Sequence, residues 1–388
     1  MGALRYISLC LLWCSLMMSL RSQEVDTMQQ TGGGFMLRLS AFGEHAMDYL
    51  TFNRGRHSLV VFPVAGYSPV AKLELGVMPI WRIAPLSASG SSYYRPTTIA
   101  TSLLASTTGM FEFEVDVETF TRQLWTAKLK SQFVYLPDRY YPIGNQAVDV
   151  DPIKYKAYRY RLEGHLMKGW REVFFYGVEV DAGFNEHHGR DGMMLPEEAV
   201  GSSGGWCNAL GPMVALDTRD NPTWPERGVY VKMSSLFAGR FLGSEYRFEQ
   251  YVFDGRLFVK PFRQDGILAA QLYVERGDGS IPFYKMPAIG GKAALRGISH
   301  PLKYINNNAW YGQAEYRRHL WWRFSGVVFG GVGASSADFS GAFDRVYGSV
   351  GAGLRIQVMP DQKLHLRIDY GVANGGDHGL YLTLRESF

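Results

Sequence analysis

A period of two constrains this chain more than any other feature. In Leu364-His365-Leu366-Arg367-Ile368-Asp369-Tyr370 every second side chain is apolar and every intervening one is polar. That is a β-strand with one face in an apolar medium and the other in water. The pattern recurs upstream. Phe111, Phe113, Val115 and Val117 share one face, and Glu112, Glu114, Asp116 and Glu118 share the other. Tyr158, Tyr160, Leu162 and Leu166 alternate with Arg159, Arg161, Glu163 and His165, and Phe174, Tyr176, Val178 and Val180 form another apolar stripe. Lys128 and Lys130 follow the acidic row and stand ready to pair with it across a ladder.

Both ends of the chain point to a membrane. Residues 1–22 read as a secretory signal, with Arg5 before an apolar run from Tyr6 to Leu20. At the other end an aromatic residue, Phe388, closes the last alternating segment, as is typical of bacterial outer-membrane barrels. No later run is long and apolar enough for a transmembrane helix. Yet 14% of residues are aromatic and only 20% are charged. A barrel reconciles these facts, because alternating lipid-facing and lumenal residues bring the mean hydropathy to −0.12. Beyond the signal only Cys207 remains, so no internal disulfide is available to brace a soluble sandwich. The net charge of +4 gives no reason to expect nucleic acid.

These observations predict an all-β protein: a transmembrane antiparallel barrel of about 16 strands over residues 57–388, preceded by a short periplasmic segment, 23–56. Within that segment 35–50 has the look of a short helix. Representative strands are expected at 123–136, 171–184, 266–276 and 379–388. The longest gaps, 137–154, 185–206 and 277–307, all follow odd-numbered strands. This places them outside the cell and both termini in the periplasm.

The gap 277–307 carries Gly290-Gly291-Lys292-Ala293-Ala294-Leu295-Arg296-Gly297-Ile298. This segment resembles the Gly-Gly…hydrophobic-Arg-Gly motif of the BamA/TamA-type surface-antigen superfamily of outer-membrane assembly barrels. In that family the motif sits in a long loop between the eleventh and twelfth strands and folds back into the lumen. Asp217-Thr218-Arg219-Asp220-Asn221-Pro222 with Pro225-Glu226-Arg227-Gly228 resembles the family's turn before the ninth strand. Gly66-Tyr67-Ser68-Pro69, Tyr140–Gly144, Ala314–Arg317 and Val350–Arg355 resemble further family segments. The resemblance implies a barrel-only member without POTRA domains.

An arginine in an inward loop loses water and needs a planar anionic partner. Alternation on the next strand turns Gln313, Glu315 and Arg317 inward, which makes Glu315 the expected partner of Arg296; the resemblance implies the same pairing. Gly290, Gly291 and Gly297 would permit the tight path around Leu295. Three departures from the family stand out. Gly331 replaces an expected lumenal Asp, Ile298 replaces an aromatic, and Glu386 stands where an aromatic is usual. Phe388 is expected on the barrel-closing strand as its targeting residue.

The function these features imply is insertion or export of other proteins, with the outer-membrane lipid, assembly proteins and unfolded barrel substrates as partners. The alternative is a passive or gated channel. A third reading, an enzyme using His187, His188 and Asp191, lacks any ligand spacing or nucleophile motif, so no catalysis, metal or cofactor is expected.

Overall fold

The computed structural model describes residues 51–388, apart from 85–95, 122, 145–150, 190–193, 262–265, 339, 342, 360–362 and 385. The signal-peptide reading and the helix-like segment at 35–50 lie outside the described residues. The strands are β1 (Thr51–Arg54), β2 (His57–Ser68), β3 (Lys72–Ile83), β4 (Thr97–Ser106), β5 (Phe111–Phe120), β6 (Trp125–Tyr140), β7 (Ile153–Trp170), β8 (Phe174–Gly189), β9 (Gly204–Asp217), β10 (Gly228–Ala238), β11 (Phe248–Val259), β12 (Gly266–Gly279), β13 (Asn308–Trp321), β14 (Phe324–Ser336), β15 (Tyr347–Met359), β16 (Leu364–Ala373) and β17 (His378–Leu384).

From β2 onward each strand pairs with the next, and β17 returns to β2, so sixteen strands close into a barrel. Every registered pair is antiparallel. The alternation sorts as the period of two requires. Phe111, Phe113, Leu129, Phe133, Tyr158, Tyr160, Leu166 and Tyr176 are exposed on the outer wall, where lipid would cover them. The inner wall carries ion pairs. Lys128 lies 3.3 Å from Asp116 and Lys130 lies 2.9 Å from Glu114, each one step diagonal to its register partner. Lys232 pairs with Glu179 at 2.7 Å and Arg161 with Asp181 at 2.8 Å.

Several strands extend further than alternation suggests. β6 runs to Tyr140, β7 begins at Ile153, β8 runs to Gly189, β9 begins at Gly204 and β12 runs to Gly279. All these extensions lie at the long-loop end, where strands rise past the apolar band. There the outward positions turn polar, as at Arg139, Lys154, Glu186 and His188, while Tyr140 and Ile153 pack inward with Phe283, so the lipid-type alternation no longer marks the strand. The start of β8 is displaced for another reason. Arg171 and Glu172 make the preceding turn with φ of 52° and 59°. A primed hairpin turn needs such values, but they usually fall on Gly or Asn, so nothing in the residue types announces the turn. β1 is a strand where the sequence suggested none.

Candidate functional site

The segment between β12 and β13, residues 280–307, supplies several of the largest fully buried side chains among the described residues, including Phe283, Ile289, Leu295 and Arg296. Its backbone folds on itself through a bridge between Gly290 and Leu295 and another between Ala288 and Ile305. Gly291 and Gly297 adopt φ of 108° and 128°, which only glycine enters freely. A Cβ on Gly290 would fall 2.6 Å from Ile298 Cγ2. Leu295 and Ile298 are buried among Tyr141, Ile289, Tyr304, Tyr311 and Tyr347. Ile298 thus fills an apolar pocket, which explains why an aliphatic side chain serves there.

Arg296 is fully buried and reaches two strands at once. Its Nη2 donates to Glu315 Oε2 on β13 at 2.7 Å, and its Nη1 donates to Asp369 Oδ2 on β16 at 2.8 Å. The guanidinium also stacks 3.7 Å over the Phe329 ring of β14. Glu315 is shared: Arg317 Nε donates to its other oxygen at 2.6 Å. Asp369 is shared as well, accepting from Arg355 Nη1 at 2.6 Å. Arg355 Nε donates to Glu386 at 2.9 Å, and Arg367 Nη2 donates to the Lys292 carbonyl at 2.9 Å.

Four guanidiniums and three carboxylates therefore form one network, in which Arg296, Arg317, Arg355, Glu315 and Asp369 have no solvent-exposed side chain. Each partner is costly to remove, because its neighbours would remain charged and dry. Two sequence expectations change here. The anion expected at Gly331 is supplied from β16 by Asp369. A Cβ at Gly331 would come 2.8 Å from Leu295 Cδ2, so the glycine leaves room for that leucine. Glu386 is polar because it meets Arg355.

Further fastenings lie elsewhere. His300 Nδ1 accepts the Leu302 N–H at 3.1 Å, which leaves Nε2–H to donate to Asp138 Oδ1 of β6 at 2.7 Å. Tyr155 of β7 donates to the other Asp138 oxygen at 3.1 Å. Lys285 donates to Asp181 of β8 at 2.6 Å. Lys303 donates to Asp377 at 2.9 Å. A segment that touches β6, β8, β13 and β16 together packs against the polar inner wall. Burial alone would lower the Lys303 pKa, but Asp377 outweighs it and holds the ammonium above its ordinary value. The pair is therefore intact at neutral pH and is lost only as pH rises through that raised value. Because it is partly solvated, Lys303→Met should lower stability by less than about 1 kcal/mol, as read from a denaturant-unfolding midpoint.

Phe388 requires a correction. β17 ends at Leu384, and Phe388 does not stand on the closing strand. Its ring is buried against Phe258 of β11 and Ala269 of β12, and Arg317 lies 5.9 Å away. Glu386, pulled inward by Arg355, turns the chain end off the wall. The histidine pair stays apart from this network. His187 Nδ1 donates toward the Gly201 carbonyl at 3.1 Å and packs on Tyr155, Phe283 and Tyr284. His188 faces Glu186 at the exposed rim, 3.0 Å away. Asp191 lies outside the described residues. Among the described residues no three His, Cys, Asp or Glu side chains gather as a metal site.

Residues 85–385 match the Omp85 superfamily domain. The chain belongs to the Omp85 superfamily. No curated protein shows significant similarity to it. Among solved structures it resembles BamA from Haemophilus ducreyi lacking POTRA domains 1-3, with a TM-score of 0.58 at 12% identity over 86% of this chain and 70% of that one. It also resembles CdiB from Acinetobacter baumannii, with a TM-score of 0.54 at 10% identity over 86% of this chain and 60% of that one. The chain thus spans roughly two thirds of the length of these neighbours, and at such identities the likeness is one of fold. Together with the Omp85 match, this shared barrel fold identifies the protein as a bacterial outer-membrane β-barrel. Sequence reasoning turned Arg317 inward and noted Glu386 but placed neither in a network, and it missed Arg355, Arg367 and Asp369. Of these five, four occupy polar positions of alternating strands, and Glu386 follows the last strand.

Proposed function

We propose that this Omp85 barrel receives strands of other outer-membrane polypeptides at its β17–β2 seam, assisting their insertion or export. One observation carries the reading. β2 is in register with β3 along its whole length, His57–Ser68, and β17 with β16 from Leu366 to Val372. Between β17 and β2 the described residues hold one registered pair, Leu382↔Tyr67. Unpaired N–H and C=O groups within lipid are unfavourable by several kcal/mol each, so an under-paired edge favours an incoming strand. The buried arginine network supports this role by bracing the wall beside the seam; it performs no bond chemistry.

A disulfide across the seam tests the reading. With Cys207→Ser as background, Leu382→Cys and Tyr67→Cys would bridge β17 to β2. Tyr370→Cys and Leu380→Cys, opposite each other on β16 and β17, serve as the control. Oxidation of the seam bridge should stop insertion or export of client barrels, reduction should restore it, and the control bridge should be silent. Equal activity of the oxidised and reduced seam proteins would rule the reading out.

A further inference from the structure

The Asp217–Gly228 turn has no part in the seam reading, yet its own side chains hold it in a fixed shape. Asp220 Oδ1 accepts the N–H groups of Asn221 and Glu226, both at 2.9 Å. Asn221 Oδ1 accepts those of Thr223 at 2.8 Å and Trp224 at 3.0 Å. Arg219 binds Asp217 through two nitrogens at 2.9 Å and lies 4.4 Å over the Tyr230 ring. Asx-type bonds of this kind fix a turn before it meets anything else.

The rigid turn presents two side chains to the far wall. Trp224 is buried; its indole stacks on His365 of β16 with 4.0 Å between ring centroids and lies 5.1 Å from the Arg317 guanidinium of β13. Glu226 accepts from Lys363, between β15 and β16, at 2.7 Å, and pairs with Lys260, just after β11, at 2.5 Å. Burial alone would raise the Glu226 pKa, but the two lysines outweigh it and hold the carboxyl below its ordinary value. This clasp therefore stays charged at neutral pH. β10 and β16 stand six steps apart in the ring of strands. A turn rooted at β9 and β10 that grips β13, β16 and two other turns must cross the mouth of the barrel. The Phe388 ring, beside Phe258 and Arg317, lies within the same aromatic group.

We propose that the Asp217–Gly228 turn is a lid over the short-turn mouth of the barrel, closing the lumen at the end opposite residues 280–307. The lumen then has two closures in series, which meet at Arg317: it pairs with Glu315 of the arginine network and faces Trp224 of the lid. Against the wall beside Tyr284, Lys285 and Met286 of the inner segment lies a charged lumenal cavity of about 420 Å³, lined also by Lys130, Arg161 and Ser234. Release of the lid would admit water and polar solutes to this cavity from the periplasm.

Thiol labelling tests the lid directly. Ser234 faces inward on β10 and is buried. Ser234→Cys in a Cys207→Ser background, held in lipid nanodiscs, would be exposed to a charged thiol reagent. Adding Trp224→Ala with Glu226→Gln should raise the labelling rate about tenfold, the change that weakening the closed state by ~1.4 kcal/mol would produce. Glu226→Gln alone keeps the shape of the clasp and should give a rise of about threefold, so the test survives failure of the double variant to fold. Heat-modifiable migration on gels confirms that each barrel is folded. A labelling rate unchanged in the folded variants would overturn the lid. Seam activity is not read in this assay, so the outcome is independent of the strand-insertion reading.

Discussion

Glu315→Ala should destabilise the barrel by about 3–5 kcal/mol, because it leaves the guanidiniums of Arg296 and Arg317 buried without their shared carboxylate. Both lose a bond of under 3 Å, to opposite oxygens of the same side chain. The defect would spread beyond the pair. Arg296 joins residues 280–307 to β13 and β16 together through charged hydrogen bonds, so the segment should detach as the strands loosen. The measurement is the denaturant midpoint of the reconstituted barrel, followed by the shift between compact and unfolded bands on gels. Glu315→Gln, which preserves shape and one acceptor, should fall between wild type and Ala. If Ala and Gln were equally harmless, the network would not contribute to stability.

A second large effect is expected where two backbones touch. Gly297 has φ of 128°, and a Cβ there would fall 2.7 Å from the Val372 carbonyl carbon. On the opposing strand, a Cβ at Gly371 would fall 2.3 Å from the Arg296 carbonyl oxygen. Neither obstacle is a side chain that can rotate away. Gly297→Val should therefore lower stability by about 3 kcal/mol or more, combining overpacking with left-handed strain. Trypsin should then cut the chain beside Arg296, which the native fold hides. Gly55→Ala is the contrast. Gly55 has φ of 58° with nothing within 4 Å of the added carbon, so only the conformational term of about 1–2 kcal/mol remains. Equal protease resistance of Gly297→Val and wild type would contradict the close approach.

The barrel was legible because lipid enforces alternation. Each lipid-facing position must be apolar, and this marks strands such as Phe111–Phe120 residue by residue. Where a strand rises beyond the lipid, as at Asn185–Gly189, or turns through unexpected residue types, as at Arg171 and Glu172, the signal fades. Arg296 and Glu315 could be paired from the sequence because one lies in a glycine-rich loop and the other at an inward position of the following strand. Asp369 could not, because it meets Arg296 only once the ring has closed and β16 has come round to β13. Phe388 was misplaced for a related reason. A terminal aromatic reads as wall, and only the pull of Arg355 on Glu386 shows that the end turns inward.

The fastenings inside the ring are unevenly distributed. Through Asp369 and Arg355, β15 and β16 are bolted to the inner segment, whereas the fastenings described above leave β2–β5 without any such bolt. One post of the doorway is thus fixed to the inner segment, whereas the panel beside it is held by its backbone ladder and by wall pairs such as Lys128–Asp116 and Lys130–Glu114. If the wall parts at Leu382 and Tyr67, the N-terminal strands are the ones that swing, and the arginine cluster stays where it is.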